Sequence, residues 1–346
     1  LSSRWVMVLM DTPAEIVGHA TVYLQIYFLG MIPQFIYNMG TNILRAVGDS
    51  KRPLYFLIIA SVVNIVLDVL FVAGFHWGVA GAAIATVISQ VASAVLTLRC
   101  LAGSNGMPWN LDAFSLSIDW AVLRDICRIG LPSAAQSALY SISNIMIQAS
   151  INGFGTTAVA AWGVYSKIDF LFWMTVSSLG ISITTFAGQN FGARQYDRVR
   201  RGTRVCLGMT AAITVVISAL LYPLAGVAFR LFSQDAAVVA QGVELMHFLV
   251  PTYLTYICIE ILAGALRGCG DVRVPTLITV FGVCGLRILW LLTVVPRTNT
   301  ILAVEASYPI TWTLSSVLFV LYYLRGGWMP RCIAAQEAAQ QTGAAR

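Results

Sequence analysis

The sequence predicts an all-α polytopic membrane protein with nine full transmembrane helices, the visible part of an inferred 6+6 two-lobe architecture built from a parallel repeat. Three observations predict it. Hydrophobic residues make up 58% of the 346 residues and charged residues 10%, against about 45–50% and about 25% in soluble domains. Nine mostly apolar stretches reach the roughly 20 residues that cross a bilayer. A ten-residue motif also recurs on one side of the membrane. Composition alone, with a mean hydropathy of +0.79, excludes a soluble enzyme, a disulfide-framed secreted domain and a disordered chain.

The nine stretches cover residues 18–44, 54–74, 78–98, 129–151, 157–187, 205–229, 239–265, 274–295 and 301–324. Their length argues against strands, and none alternates as a barrel strand does. Residues 1–10 read as the last turns of a further segment, and the polar tail after Arg325 reads as loosely ordered. The loops at 45–52, 99–128, 190–204 and 267–273, with the tail, hold 16 Lys and Arg, whereas the opposite side holds Arg4, Arg230 and Arg297. By the positive-inside rule the first set faces the cytoplasm. The expected location is the cell (inner) membrane, multi-pass, with a cytoplasmic C-terminus. The net charge of +6 therefore reports topology, and no nucleic acid is expected. Cys100, Cys127, Cys206, Cys258, Cys269, Cys284 and Cys332 form no CxxC pair and read as small packing residues.

LRAVGDSKRP at 44–53 and LRGCGDVRVP at 266–275 match at an ungapped offset of 222 residues. Both copies lie between two spans on the cytoplasmic side, so the halves share one orientation. Residues 1–101 read as the remainder of a first lobe, 102–124 as a cytoplasmic linker, 125–325 as the second lobe and 326–346 as a cytoplasmic tail. Three spans precede the second motif within its own half, so three partners are expected before residue 1.

Ionisable and polar groups at bilayer depth are functional candidates because they are costly there. Asn64 and Asp68 share a helical face, with Asp68 about 9 Å from the outer end of its span and Thr86 at similar depth on the next helix. The trio reads either as a site for Na⁺ or a proton or as an Asp–Asn lock between helices. Gln136, Tyr140, Asn144 and Gln148 recur every four residues, extended by Ser137 and Ser141, and form one polar stripe. It reads as cavity lining or as hydrogen-bonding glue between helices. Lys167 and Asp169 are expected to neutralise one another, directly or through water, as part of an intramembrane charge network with Arg287. Glu260 and Arg287 are expected to pair across adjacent helices, structurally or functionally. Glu244, His247 and Glu305 read as solvated interfacial groups, and His19 and His76 as outer-surface residues without a ligand role. Pro33, Pro132, Pro223, Pro251 and Pro309 lie in or at the ends of spans, where each frees a carbonyl and permits bending. No Walker A sequence, HExxH or nucleophile elbow is present, so neither an enzyme nor an ATP-driven pump is expected.

LRAVGDSKRP, NIVLD, GVAGAAIATVISQ at 78–90, IGLPSAAQ at 129–136, GQNFGARQYDRVRR at 188–201 and LRGCGD together resemble the multidrug and toxic compound extrusion (MATE) family of secondary transporters. The resemblance runs from residue 1 to about residue 325, in the family's order. It implies two six-helix lobes around a central cavity and export of organic, often cationic or amphipathic compounds by Na⁺ or H⁺ antiport. It also implies that Asn64, Asp68 and Thr86 match a first-lobe cation site, completed in the family by an aspartate on a first helix that this chain does not contain. In the second lobe some members use acids on the seventh and tenth helices. Here Gln136 and Tyr140 stand on the seventh, and Glu260 is the candidate on the tenth. GQNFGAR reads as a cytoplasmic turn before a basic helix start. The expected partners are a small organic substrate and the lipid bilayer, with the protein a monomer. No cofactor is expected beyond Na⁺ or H⁺ as the coupling ion. Two rival readings remain: a lipid-linked precursor flippase of the same superfamily, disfavoured because Lys167 and Arg287 are the only intramembrane cations, and a non-transporting membrane remnant.

Overall fold

The computed structural model describes residues 14–103 and 119–344, and no strand occurs among them. The expectations for residues 1–10, for most of the linker and for the side chain of His19 lie outside the described residues. The chain divides into two compact units, Leu1–Ile118 and Asp119–Arg346.

In the first unit, α1 runs over Ala14–Ala46, α2 over Lys51–Gly74 and α3 over Gly78–Ala102. Glycine lets α1 approach α3. A Cβ at Gly30 would come within 2.2 Å of Gln90 Oε1, and one at Gly40 within 2.2 Å of Thr97 Cγ2. Close backbone approach through small residues is the usual packing route inside a bilayer, where the hydrophobic effect gives no drive. α2 is an α-helix as far as Asp68 and then widens into a π-helix, Val69–Gly74.

In the second unit, α4 spans Trp120–Asn152, α5 Thr156–Gly192, α6 Tyr196–Arg230, α7 Ala236–Gly268, α8 Arg273–Thr298 and α9 Ile301–Leu324. Asp119 and Asp235 start their helices as caps, each accepting the Ala N–H two residues on at 2.8 Å, as capping carboxylates do. GQNFGAR ends α5, and the chain turns through Arg194 at φ 57° before Tyr196 starts α6. α7 is interrupted by a 3₁₀ segment, Val250–Thr255, because Pro251 lacks an N–H and its ring crowds the preceding turn. Ser316 on α9 donates to the carbonyl of Thr255, so one backbone group at the break is satisfied. α8 carries a π segment, Thr279–Gly285. α5 and α7 interlock through glycines. A Cβ at Gly264 would meet the Gly180 carbonyl oxygen at 2.8 Å, and one at Gly268 the Thr184 carbonyl oxygen at 2.4 Å.

Among the described residues seven helices, α2, α3 and α5–α9, are long and apolar enough to cross a membrane. The expected spans at 18–44 and 129–151 fall on α1 and α4, which are not among those seven. The tail corrects an expectation. Trp328–Ala344 forms α10, with Trp328, Met329 and Cys332 buried. Its side of the junction is hydrogen-bonded, since Arg331 Nη2 donates to Tyr322 Oη at 2.7 Å and Tyr322 donates to Asp271. Spaced apolar residues among polar ones were enough to dock a helix that composition presented as solvated.

The two copies of the recurring motif form one and the same turn. Gly48 N–H bonds the Arg45 carbonyl at 2.9 Å and Asp49 N–H the Leu44 carbonyl at 2.9 Å. Gly270 and Asp271 repeat this on Arg267 and Leu266, both at 3.0 Å. This is a Schellman cap, which needs a left-handed residue at its glycine position. Gly48 has φ 92° and Gly270 φ 87°. Leu44 and Leu266 are fully buried.

Candidate functional site

In the first unit α1, α2 and α3 surround a cavity of about 330 Å³, lined among others by Gln34, Asn38, Ser61, Asn64, Gln90 and Ser93. Its polar groups are neutral. Asn64 reaches it directly, and Asp68 stands one turn further out, at the junction with the π-helix. No hydrogen bond joins Asn64, Asp68 and Thr86 among the described residues. Thr86 donates instead to the Ala82 carbonyl at 2.9 Å, which leaves its oxygen lone pairs free to accept. Asn64 Nδ2 and Asp68 Oδ1 are both shielded from solvent without a partner. Buried polar atoms normally have one, and a π turn at such a position is a recurrent feature of functional sites.

The second unit contains two adjoining cavities. One, of about 490 Å³, is lined by the C-terminal part of the polar stripe and by an aromatic wall that includes Trp162, Tyr165, Trp173 and Tyr308. The other, of about 230 Å³, lies against Gln136, Tyr256, Glu260 and Arg267. Tyr140 lines both, Asn144 and Gln148 the first. Gln148 also donates to Asn152 at 2.9 Å. Ser137 and Ser141 donate to carbonyls of their own helix and so add little to the stripe.

The intramembrane charges pair differently from expectation. Asp169 does not meet Lys167. Its carboxylate accepts from Tyr253 Oη at 2.6 Å and Trp173 Nε1 at 2.6 Å, while Lys167 is exposed, with Nζ 5.5 Å from the centre of the Phe232 ring. Two residues apart on a helix, Lys167 and Asp169 point in directions about 200° apart, which is why they separate. Glu260 does not meet Arg287 either. It accepts from Tyr256 Oη at 3.1 Å and lies 3.7 Å from Arg267 on its own helix. Arg287 is 1% exposed, rests on the Tyr308 ring at 4.3 Å and donates to Thr311 Oγ1 at 3.3 Å. Glu305, read from sequence as solvated, is 3% exposed in the second turn of α9. Glu244, His247 and His76 are exposed.

Sequence reasoning missed the aromatic residues. Phe172 stacks on Tyr253 at 4.1 Å and Trp173 meets Tyr256 edge-on at 4.6 Å. The recurrence of Asp169 and Trp173 at i, i+4 was the available signal. No group of three or more His, Cys, Asp or Glu placed to hold a metal occurs among the described residues.

The MatE family profile matches residues 1–70 and 132–292. The chain is 31% identical to the probable multidrug resistance protein YoeA of Bacillus subtilis over 91% of its own length and 70% of that protein's. It is 28% identical to the probable multidrug resistance protein YpnP of the same organism, covering 78% of this chain and 60% of that protein. A crystal structure of MATE in the bent conformation superposes with a TM-score of 0.86 at 20% identity, over 98% of this chain and 74% of that one. That likeness concerns the fold. The profile match and the identity to YoeA place the chain, an all-helical multi-pass membrane protein, in the MATE family of transporters.

Proposed function

We propose that this protein exports organic, cationic or amphipathic compounds across the cell membrane by Na⁺ or H⁺ antiport, with two lobes alternating access. The relatives' names as multidrug resistance proteins support the efflux part, and a family of transporters supports a non-enzymatic one. Asp68 carries the coupling part. A carboxylate oxygen inside an apolar span, shielded and without a partner, beside an Asn64 amide in the same condition, is poised to exchange a cation or proton. Substrate is taken up along the α4 stripe of Gln136, Tyr140, Asn144 and Gln148, with Glu260 beside it. Uptake of the ion at Asp68 from outside disfavours the substrate-loaded, outward-open state, so gradient energy becomes cargo release. The protein acts as a monomer with its C-terminus in the cytoplasm.

The test is efflux of a fluorescent organic dye from vesicles under an imposed Na⁺ or H⁺ gradient. Asp68→Asn is expected to abolish gradient-driven efflux with membrane insertion unchanged. Retained efflux would remove Asp68 from the mechanism.

A further inference from the structure

Of the two adjoining cavities, the larger is lined by one cation and one acid, Arg287 and Asp169, and only the acid is provided for. Asp169 has a strong donor on each oxygen, Tyr253 on Oδ1 and Trp173 on Oδ2. Arg287 is buried with its guanidinium on the faces of Tyr308 at 4.3 Å and Tyr140 at 5.9 Å. Ring faces attract a cation but take none of the N–H hydrogen bonds along the guanidinium edge. In that edge Nη2 has Thr311 at 3.3 Å, a long contact, and Nε has nothing. No carboxylate lies within ion-pair distance of Arg287 among the described residues. Glu260, the acid expected from sequence to pair with it, is held by Tyr256 and Arg267.

A buried guanidinium without an anion is costly, and its planar fork matches a carboxylate in bidentate fashion. The cavity beside it has about 490 Å³ and an aromatic wall, in the range of a small organic ligand. We infer that this cavity binds an aromatic organic acid, its carboxylate or equivalent planar anion on the free edge of Arg287 and its ring against the wall of Trp162, Trp173 and Tyr308. Asn144 and Gln148, which line the same cavity, supply neutral hydrogen bonds. The inference rests on the export reading only in naming a class of cargo, and it narrows that reading at this cavity to its amphipathic alternative, molecules with an acidic group in place of a cationic one.

Its test needs no gradient, so a failure of coupled transport leaves it intact. 1-Naphthoate and 1-naphthylmethylammonium, near-isosteres of opposite charge, are titrated against the purified full chain in detergent, with binding read by calorimetry. Naphthoate is expected to bind at least 10-fold more tightly than the ammonium. Arg287→Met is expected to weaken naphthoate at least 10-fold without weakening the ammonium, and Arg287→Lys to weaken naphthoate less than Arg287→Met does. Equal or tighter binding of the ammonium to the unaltered protein, binding of neither probe, or full naphthoate affinity in Arg287→Met would overturn the assignment. If the Met variant does not fold, the comparison of the two probes on the unaltered chain decides.

Discussion

The helix after the first LRxxGD turn and the helix after the second begin alike and carry opposite charges within their spans. Both turns make the same two backbone hydrogen bonds, place a glycine at positive φ and bury the leucine. Beyond them the copies diverge. Asp49 stays local, capping the start of α2 and pairing with Arg52 at 3.2 Å, whereas Asp271 reaches Tyr322 and, through it, the tail helix. At the same ungapped offset, Asp68 stands where the second copy has Trp290, and Arg287 where the first has Ile65. What the copies share is what a Schellman turn requires. What they do not share is the charge that each unit leaves without a full set of partners. Local geometry is thus common to both, and the chemistry has separated.

The sharpest contrast is between Asp68 and Asp169, two intramembrane carboxylates met differently by the protein. Asp169→Ala strands the Trp173 N–H and leaves the Tyr253 hydroxyl with only the Tyr165 hydroxyl, 3.2 Å away. Each hydrogen bond to a charged acceptor contributes about 1.5–3 kcal/mol, so a loss of about 3 kcal/mol or more is expected in a denaturant titration in detergent. If Asp68→Ala costs as much, Asp68 has partners after all and the contrast fails.

The likeness of the turns has its own test. A β-branched residue at Gly48 or Gly270 must take a left-handed conformation, which costs about 1–2 kcal/mol for an L-residue and more with β-branching. Gly48→Val and Gly270→Val are expected to destabilise by similar amounts in the same titration. A cost at one position and none at the other would show that only one turn persists in solution.

Smaller again is the difference between the two aspartates of the motif. Asp271→Asn weakens the link to Tyr322 and Arg331, by about 1 kcal/mol for one charge-assisted bond. It is expected to speed tryptic cleavage after Arg331. Asp49→Asn, which touches an exposed cap and ion pair, is expected to leave that cleavage rate unchanged and to cost only about 0.5 kcal/mol of stability. Equal cleavage rates in both variants would separate the tail from the turn.

Most of the helical framework was legible in the sequence because the apolar stretches of a membrane protein must be helical to satisfy their backbone, and Pro and Gly marked many of the ends. The repeat was legible because a left-handed turn demands a glycine. The charge partners were not. Glu260 follows the 3₁₀ segment that Pro251 imposes, and Arg287 follows the π segment of α8. At 3.0 rather than 3.6 residues per turn, six 3₁₀ residues rotate everything beyond them by roughly 120°. A face assigned by α-helical period is then wrong for Glu260, and the π turn shifts Arg287 in its own way. The burial of Glu305 was illegible for another reason, since a position near a span end says nothing about which neighbours cover it. The docking of α10 depended on Trp328, Met329 and Cys332, too few to outweigh the polar residues around them in any average.

The coupling role of Asp68 is tested most directly by its own carboxyl vibration, isolated as the infrared difference between the unaltered protein and Asp68→Asn in reconstituted membranes. Addition of a transported dye is expected to shift the balance between the carboxylate and carboxylic acid bands of Asp68, and a change of Na⁺ or pH to shift it the opposite way. Bands indifferent to the dye, the cation and pH alike would contradict the account.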